Sequence, residues 1–282
     1  MRFGLDPNNQ KAYNGFQMRM QWTIAFACLM FACLIAAHIP MQAAGGQNAG
    51  GQSLPDPSAL VAGAVDHLRG RTSRAEVEMT IHRPGWERKM TINAWTRGQK
   101  DSIFWIASPP KDRGNGTLKK DDEMWIFNPK VNRVIKLPPS MMSQSWQGSD
   151  FSNNDLAKSD DIIDQYTHEI IGTAAYEGKT VYRIRSLPKP GAPVVWGMQE
   201  LSIREDHIVL RQAFFDEERQ LVKALTMEKL ALLGGRLYPV VWRMAKADAR
   251  EEFTVLDYRE LTFGVDVSDR MFSVSSLRNP RL

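Results

Sequence analysis

From Arg74 onward apolar and polar residues alternate with a period of two. Ala75, Val77, Met79 and Ile81 take turns with Glu76, Glu78 and Thr80, and Pro84-Gly85 turns the chain into Met90, Ile92 and Ala94. That period places successive side chains on opposite faces of a strand. Similar short runs follow at Ser102 to Ala107, Gly116 to Lys120, Glu123 to Phe127 and Val131 to Leu137. After a polar interval they resume at Tyr166 to Ile171, Thr180 to Leu187, Val194 to Arg204, Val209 to Phe215, Leu221 to Leu232, Leu237 to Ala247 and Phe253 to Phe263. Proline, glycine and acidic turns separate them. No helix of crossover length lies between neighbours, which predicts antiparallel pairing through hairpins.

Only one segment carries a clear helical period. Leu60, Val61, Ala64, Val65 and Leu68 recur at 3.6 spacing after Pro55-Asp56-Pro57, and Gly70 stops them. Short helical candidates lie at Asn154 to Ser159 and Asp269 to Leu277. About 12 strands and one N-terminal helix predict a mainly β fold: a large, curved antiparallel sheet, open or nearly closed.

Large side chains sit on many of these strands. Trp95, Phe104, Trp125, Phe127, Trp196, Met198, Phe214, Met227, Trp242 and Met244 are the candidates to line an apolar hollow that one short helix is too small to cover. Each could equally fill an ordinary core. Residues 145 to 156, Ser-Trp-Gln-Gly-Ser-Asp-Phe-Ser-Asn-Asn-Asp-Leu, fit neither a strand nor a simple turn. Two readings stand. Residues 141 to 156 cross the mouth of the sheet as a lid, with Met141, Met142, Trp146 and Phe151 pointing inward. Alternatively the aromatics anchor an ordered connection, with Asp150 or Asn154 capping the helix before Leu156.

The amino terminus is of another kind. Met18-Arg19-Met20 precedes an uncharged run from Trp22 to Ala37, 16 residues where a membrane span wants about 20. Small residues follow. This is the pattern of a secretory signal peptide over residues 1–44, with Met18 or Met20 as the start. Residues 45–56 form a flexible lead-in, and 57–282 a single domain. Both cysteines, Cys28 and Cys33, fall in the leader, so the mature chain is expected to have no disulfide, thiol nucleophile or cysteine ligand. Cleavage leaves 33 basic and 31 acidic residues, against 36 and 32 in the whole chain. That near balance gives no footprint for nucleic acid.

Catalytic signatures are missing. No Gly-x-Ser-x-Gly, His-Glu-x-x-His or P-loop pattern occurs, His67, His82, His168 and His207 are scattered, and Asp160, Asp161 and Asp164 lack calcium-loop spacing. The expectation is a protein that is not an enzyme and carries no cofactor or metal.

Several segments together resemble the outer membrane lipoprotein-sorting protein family, a LolA-like group of periplasmic carriers. They are Lys111 to Gly116, Glu123 to Phe127, Gly148 to Phe151 with Asp155-Leu156, Pro188 to Trp196, and Tyr258 to Leu261. The resemblance covers roughly residues 70–282. It implies an unclosed, LolA/LppX-like β-barrel lidded by helices, whose apolar cavity holds the acyl chains of a lipid or lipoprotein in the cell envelope. Its expected partners are a lipid or acylated lipoprotein, an inner-membrane transporter and an outer-membrane acceptor. The alternatives are an envelope accessory protein that docks a transporter and, less favoured, an envelope hydrolase.

Overall fold

The first two strands, β1 (Thr72–Arg83) and β2 (Trp86–Arg97), have twelve residues each and pair antiparallel across their whole length; burial alternates along β1, whereas Ile92–Trp95 of β2 are buried on both faces. The computed structural model describes residues 54–249 and 251–281. The expected signal peptide and most of the expected lead-in lie outside the described residues.

The meander continues through β3 (Asp101–Ser108), β4 (Gly116–Lys120), β5 (Glu123–Asn128) and β6 (Arg133–Lys136). A second meander comprises β7 (Tyr166–Tyr176), β8 (Lys179–Pro188), β9 (Met198–Arg204), β10 (Val209–Phe215), β11 (Leu221–Leu233), β12 (Arg236–Lys246) and β13 (Phe253–Phe263). The two halves join where β1 pairs with β13, giving one 13-stranded antiparallel sheet with β6 and β7 at its edges. These edges do not pair with each other, so the barrel is unclosed.

Topology determines what lies on the inner face. Since β6 and β7 are the two edges, the connection between them must travel from one side of the sheet to the other. Residues 137–165 do so across the inner face, through short helices α2 (Pro139–Met142), α3 (Asn153–Ala157) and α4 (Asp161–Asp164). Trp146, Ala157 and Ile162 of this crossing segment are buried in the inner-face clusters.

The N-terminal helix, here αN (Pro57–Arg69), starts at Asp56, whose carboxylate accepts from the Ser58 amide, and ends at Gly70 with φ 60°. Leu60, Val61 and Ala64 pack on Ile184, Leu201, Ile203 and Trp242.

The outer face carries a core of its own. Trp95, Ile103, Trp105, Leu118 and Phe127 cluster with Met271, Phe272 and Leu277 of the C-terminal segment, which contains α5 (Val274–Leu277). Trp105 Nε1 donates to the Leu277 carbonyl at 3.1 Å. Gly116 makes this contact possible: a Cβ there would sit 2.7 Å from Leu277 Cδ1 and 3.1 Å from Trp105 Cδ1. Gly116→Ala is therefore expected to cost about 1–3 kcal/mol by overpacking. Limited proteolysis should then release the C-terminal segment earlier than in the parent, while an unchanged cleavage rate would show that Leu277 yields without cost.

Three local expectations are corrected. The strand expected from Val194 begins at Met198. Residues 192–197 stay outside the sheet, and Gly197 lies so close to the Asp216–Glu217 backbone that a Cβ would be 2.3 Å from the Asp216 oxygen. The strand expected over Val131–Leu137 shrinks to β6 because a 3₁₀ turn, capped by the Asn128 side chain, occupies Pro129–Val131. The helix before Leu156 is capped by Ser152, in a reciprocal capping box with Asp155, rather than by Asp150 or Asn154. Asp150 is unavailable because its carboxylate is held by Arg83 and Thr254.

Candidate ligand cavity

A cavity of about 350 Å³ lies between the inner face, αN and the crossing segment. Strand parity decides what lines it. On β1 and β2 these are Ala75, Val77, Ile92 and Ala94, with Phe104 beside them on β3. The small side chains of Ala75 and Ala94, cross-strand neighbours, leave space where larger residues would close it. From the other half come Leu201, Phe214, Tyr238, Trp242, Met244 and Tyr258, and from αN Val61, Ala64, Val65 and Leu68.

Of the residues expected to bind a ligand, Phe104, Trp196, Phe214, Trp242 and Met244 line this cavity. Met227 is on the same face, opposite Trp242, but is buried within the cluster beside it. Trp95, Trp125 and Phe127 belong to the outer-face cluster under the C-terminal segment. Met198, paired with Phe215, does not line the cavity either. Within the crossing segment Trp146 and Phe151 reach the cavity, whereas Met141 and Met142 pack on the cluster around Met79, Ile92 and Met124.

The crossing segment is fastened to the sheet mainly by charge. Arg83 donates through two nitrogens to Asp150, at 3.1 and 3.0 Å, and Thr254 Oγ1 donates to the same carboxylate at 2.7 Å. Lys223 is ion-paired with Asp155, and its ammonium lies 5.1 Å from the Trp196 ring centroid. Lys119, 1% exposed in its side chain, donates to Asp160 at 2.6 Å, and Lys100 approaches the same carboxylate at 2.9 Å. Burial opposes both members of that buried pair, pushing the Lys119 ammonium down. At Asp160 burial pushes upward, but the hydrogen bonds from Lys119 and Lys100 outweigh it and hold the carboxyl below its ordinary value. Trp146 Nε1 adds a bond to Thr117 Oγ1 at 2.9 Å, and its ring meets Phe104 edge-on at 6.0 Å between centroids. Burying that indole contributes roughly 2–3 kcal/mol.

Arg69 and Tyr238, polar groups on the cavity wall, are hydrogen-bonded. Arg69 donates to the Gly98 and Asp101 carbonyls and to Ser102 Oγ. Burial pushes its guanidinium pKa down, while the Asp160 charge acts in the other direction. Tyr238 donates to the Leu68 carbonyl at 3.2 Å, and burial raises the phenols of both Tyr238 and Tyr258. Among the described residues no three His, Cys, Asp or Glu side chains come together as a metal site, and no helix is long and apolar enough to cross a membrane. The lining of the site is predominantly apolar.

Sequence reasoning missed Tyr238, Tyr258 and the two alanines. Parity was the usable signal: Tyr238 shares Trp242's face of β12, while Trp95 is one residue out of step with Ala94.

A family model described as "Uncharacterized protein" matches residues 98–279. Three solved structures are similar over 79% of this chain. A DUF1329 family protein from Desulfovibrio piger is covered completely, at 26% identity and a TM-score of 0.70. A LolA superfamily protein from Nitrosomonas europaea is also covered completely, at 19% identity and a TM-score of 0.67. An outer membrane lipoprotein-sorting protein domain from Vibrio parahaemolyticus is covered over 98% of its length, at 16% identity and a TM-score of 0.69. A search of the curated proteins finds no significant match. The unclosed barrel is thus LolA-like in fold.

Proposed function

We propose that this chain, which belongs to the family whose model matches residues 98–279, is a periplasmic carrier that holds the acyl part of a lipid or lipoprotein in its half-barrel. The observation that carries the reading is the apolar volume of about 350 Å³ between the sheet and the crossing segment, within the range of about 300–1,000 Å³ typical of small-molecule sites. Each buried methylene would contribute about 0.8 kcal/mol, so a dozen would supply around 10 kcal/mol before ordering costs. That is strong enough to carry and weak enough to release. No catalytic step is assigned. Phe151 and Trp196 would move aside for the guest, and a membrane partner, an inner-membrane transporter or an outer-membrane acceptor, would load or unload it. The LolA-like fold supports the reading, as does the name of the Vibrio domain, which speaks of lipoprotein sorting.

The test is mass spectrometry of lipid that copurifies with the mature protein, together with uptake of an apolar fluorescent dye. The expected result is bound acyl species and a dye that a dodecanoyl ligand displaces. A protein that takes up neither dye nor lipid would be the accessory protein instead, its interior closed to guests.

A further inference from the structure

The cavity has a neighbour. An outer groove of about 550 Å³ lies between the crossing segment and the ends of β11 and β12, and it shares Phe151, Asn154, Val195 and Trp196 with the cavity. Those four side chains form the partition between an apolar interior and a wetter exterior. Ser143, Ser145, Ser149 and Ser152 give the groove a hydroxyl-rich wall.

Its charges cancel. Asp150 is bound by Arg83 and Lys223 by Asp155, while the exposed Lys246 and Asp248 bring one charge of each sign. The groove therefore has no cationic cluster to hold a phosphate.

On the cavity side of the partition, next to Asn154, is an unmet hydrogen-bonding group. Asp155 lines the inner cavity, its side chain is 6% exposed, and its Oδ2 accepts from the Ser152 amide and hydroxyl and from Lys223. Its Oδ1 is buried with no partner among the described residues. A buried acceptor left unmade is costly, and a guest that brings an N–H or O–H to that point removes the cost. A phosphate brings only further negative charge.

Resting on the carrier reading, we infer that the groove is the headgroup subsite, and that it takes an uncharged, hydrogen-bond-donating head of glyceryl or amide type whose acyl chain passes between Phe151 and Trp196 into the cavity. Glyceride and N-acylated peptide share this chemistry.

Displacement of the apolar dye by ligands with one common dodecanoyl or dodecyl chain tests it: 1-lauroylglycerol, N-lauroylglycinamide, lauroyl lysophosphatidylglycerol and dodecylamine. At least one of the two uncharged heads should bind about ten-fold more tightly than the phosphate head, as one or two net hydrogen bonds allow, and more tightly than the ammonium head, whose charge would have to be desolvated beside the Lys223 ammonium that already pairs with Asp155. Which of them wins identifies the source, glyceride or acylated peptide. Ser145→Lys, an exposed change that adds a cation to the groove, should narrow the preference over the phosphate head several-fold. Equal affinities for all four overturn the subsite and leave the carrier reading standing. Tighter binding of the phosphate or ammonium head overturns it too, as does a Ser145→Lys ratio equal to the parent's. Failure of every ligand, with no dye uptake, overturns the carrier reading itself.

Discussion

Ala94→Phe is expected to strip the protein of copurifying lipid while leaving the sheet intact. Ala94 faces the cavity from the middle of β2, between Ala75 and Phe104 on the neighbouring strands. A phenyl ring there grows into empty volume, so the usual overpacking penalty is small, and Phe suits a strand. If the ring excludes three methylenes of a guest, the loss is about 2.4 kcal/mol, roughly 50-fold in affinity. Dye titration reads the affinity, and thermal unfolding checks that the fold persists. Full lipid retention in a folded Ala94→Phe protein would mean that guests do not occupy this volume. This variant is a sharper probe than a polar replacement of Trp242, which is 4% exposed and part of the core, where losing the ring would itself destabilise by several kcal/mol.

The second large effect concerns the fastening of the crossing segment. Lys119→Met removes one ammonium from a buried carboxylate, and breaking such a pair from one side costs about 3–5 kcal/mol. Lys100 still faces Asp160, so the lower end, about 3 kcal/mol, is expected. The double replacement Lys119→Met with Asp160→Leu should recover much of the loss, because neither charge is then left buried alone. Urea unfolding of the parent, of Lys119→Met and Asp160→Leu singly and of the double variant measures this; additive losses would show that the pair does not couple the segment to β4. pH supplies a second readout. The folded Asp160 carboxyl lies below its ordinary value, so its contribution is fully present at neutral pH and is lost as pH falls through and below the ordinary carboxylate range. That acid-dependent loss should be smaller in the double variant, which lacks the carboxyl.

Much of this molecule was legible from its residues because strand periodicity is a local property. The alternation of Ala75, Val77, Met79 and Ile81 announces β1 whatever it pairs with, and Pro84-Gly85 announces the hairpin that makes β2 its partner. Antiparallel meanders join sequence neighbours, so eleven of the twelve pairings in the sheet follow almost from order alone, with one exception. That exception, β1 with β13, brings together residues nearly at the two ends of the described chain. It also makes β6 and β7 the edges, which sends residues 137–165 across the inner face. The crossing segment was visible in the sequence as an oddity, with Trp146 and Phe151 in a polar loop, but its fastenings at Arg83, Lys119 and Lys223 join residues far apart along the chain.

The candidate site was harder to read because size and side are different properties. Trp95 and Phe104 look alike as large apolar residues on strands, yet one lies beneath Leu277 on the outer face and the other beside the cavity. Sequence by itself determined the strand order within each meander, the helix before it and the two-sided placing of apolar residues, since each depends on neighbours along the chain. Only the tertiary structure decided which side is covered by the chain's own C-terminal segment and which keeps a hollow, because a void is what remains after distant side chains have packed, and no residue encodes it alone.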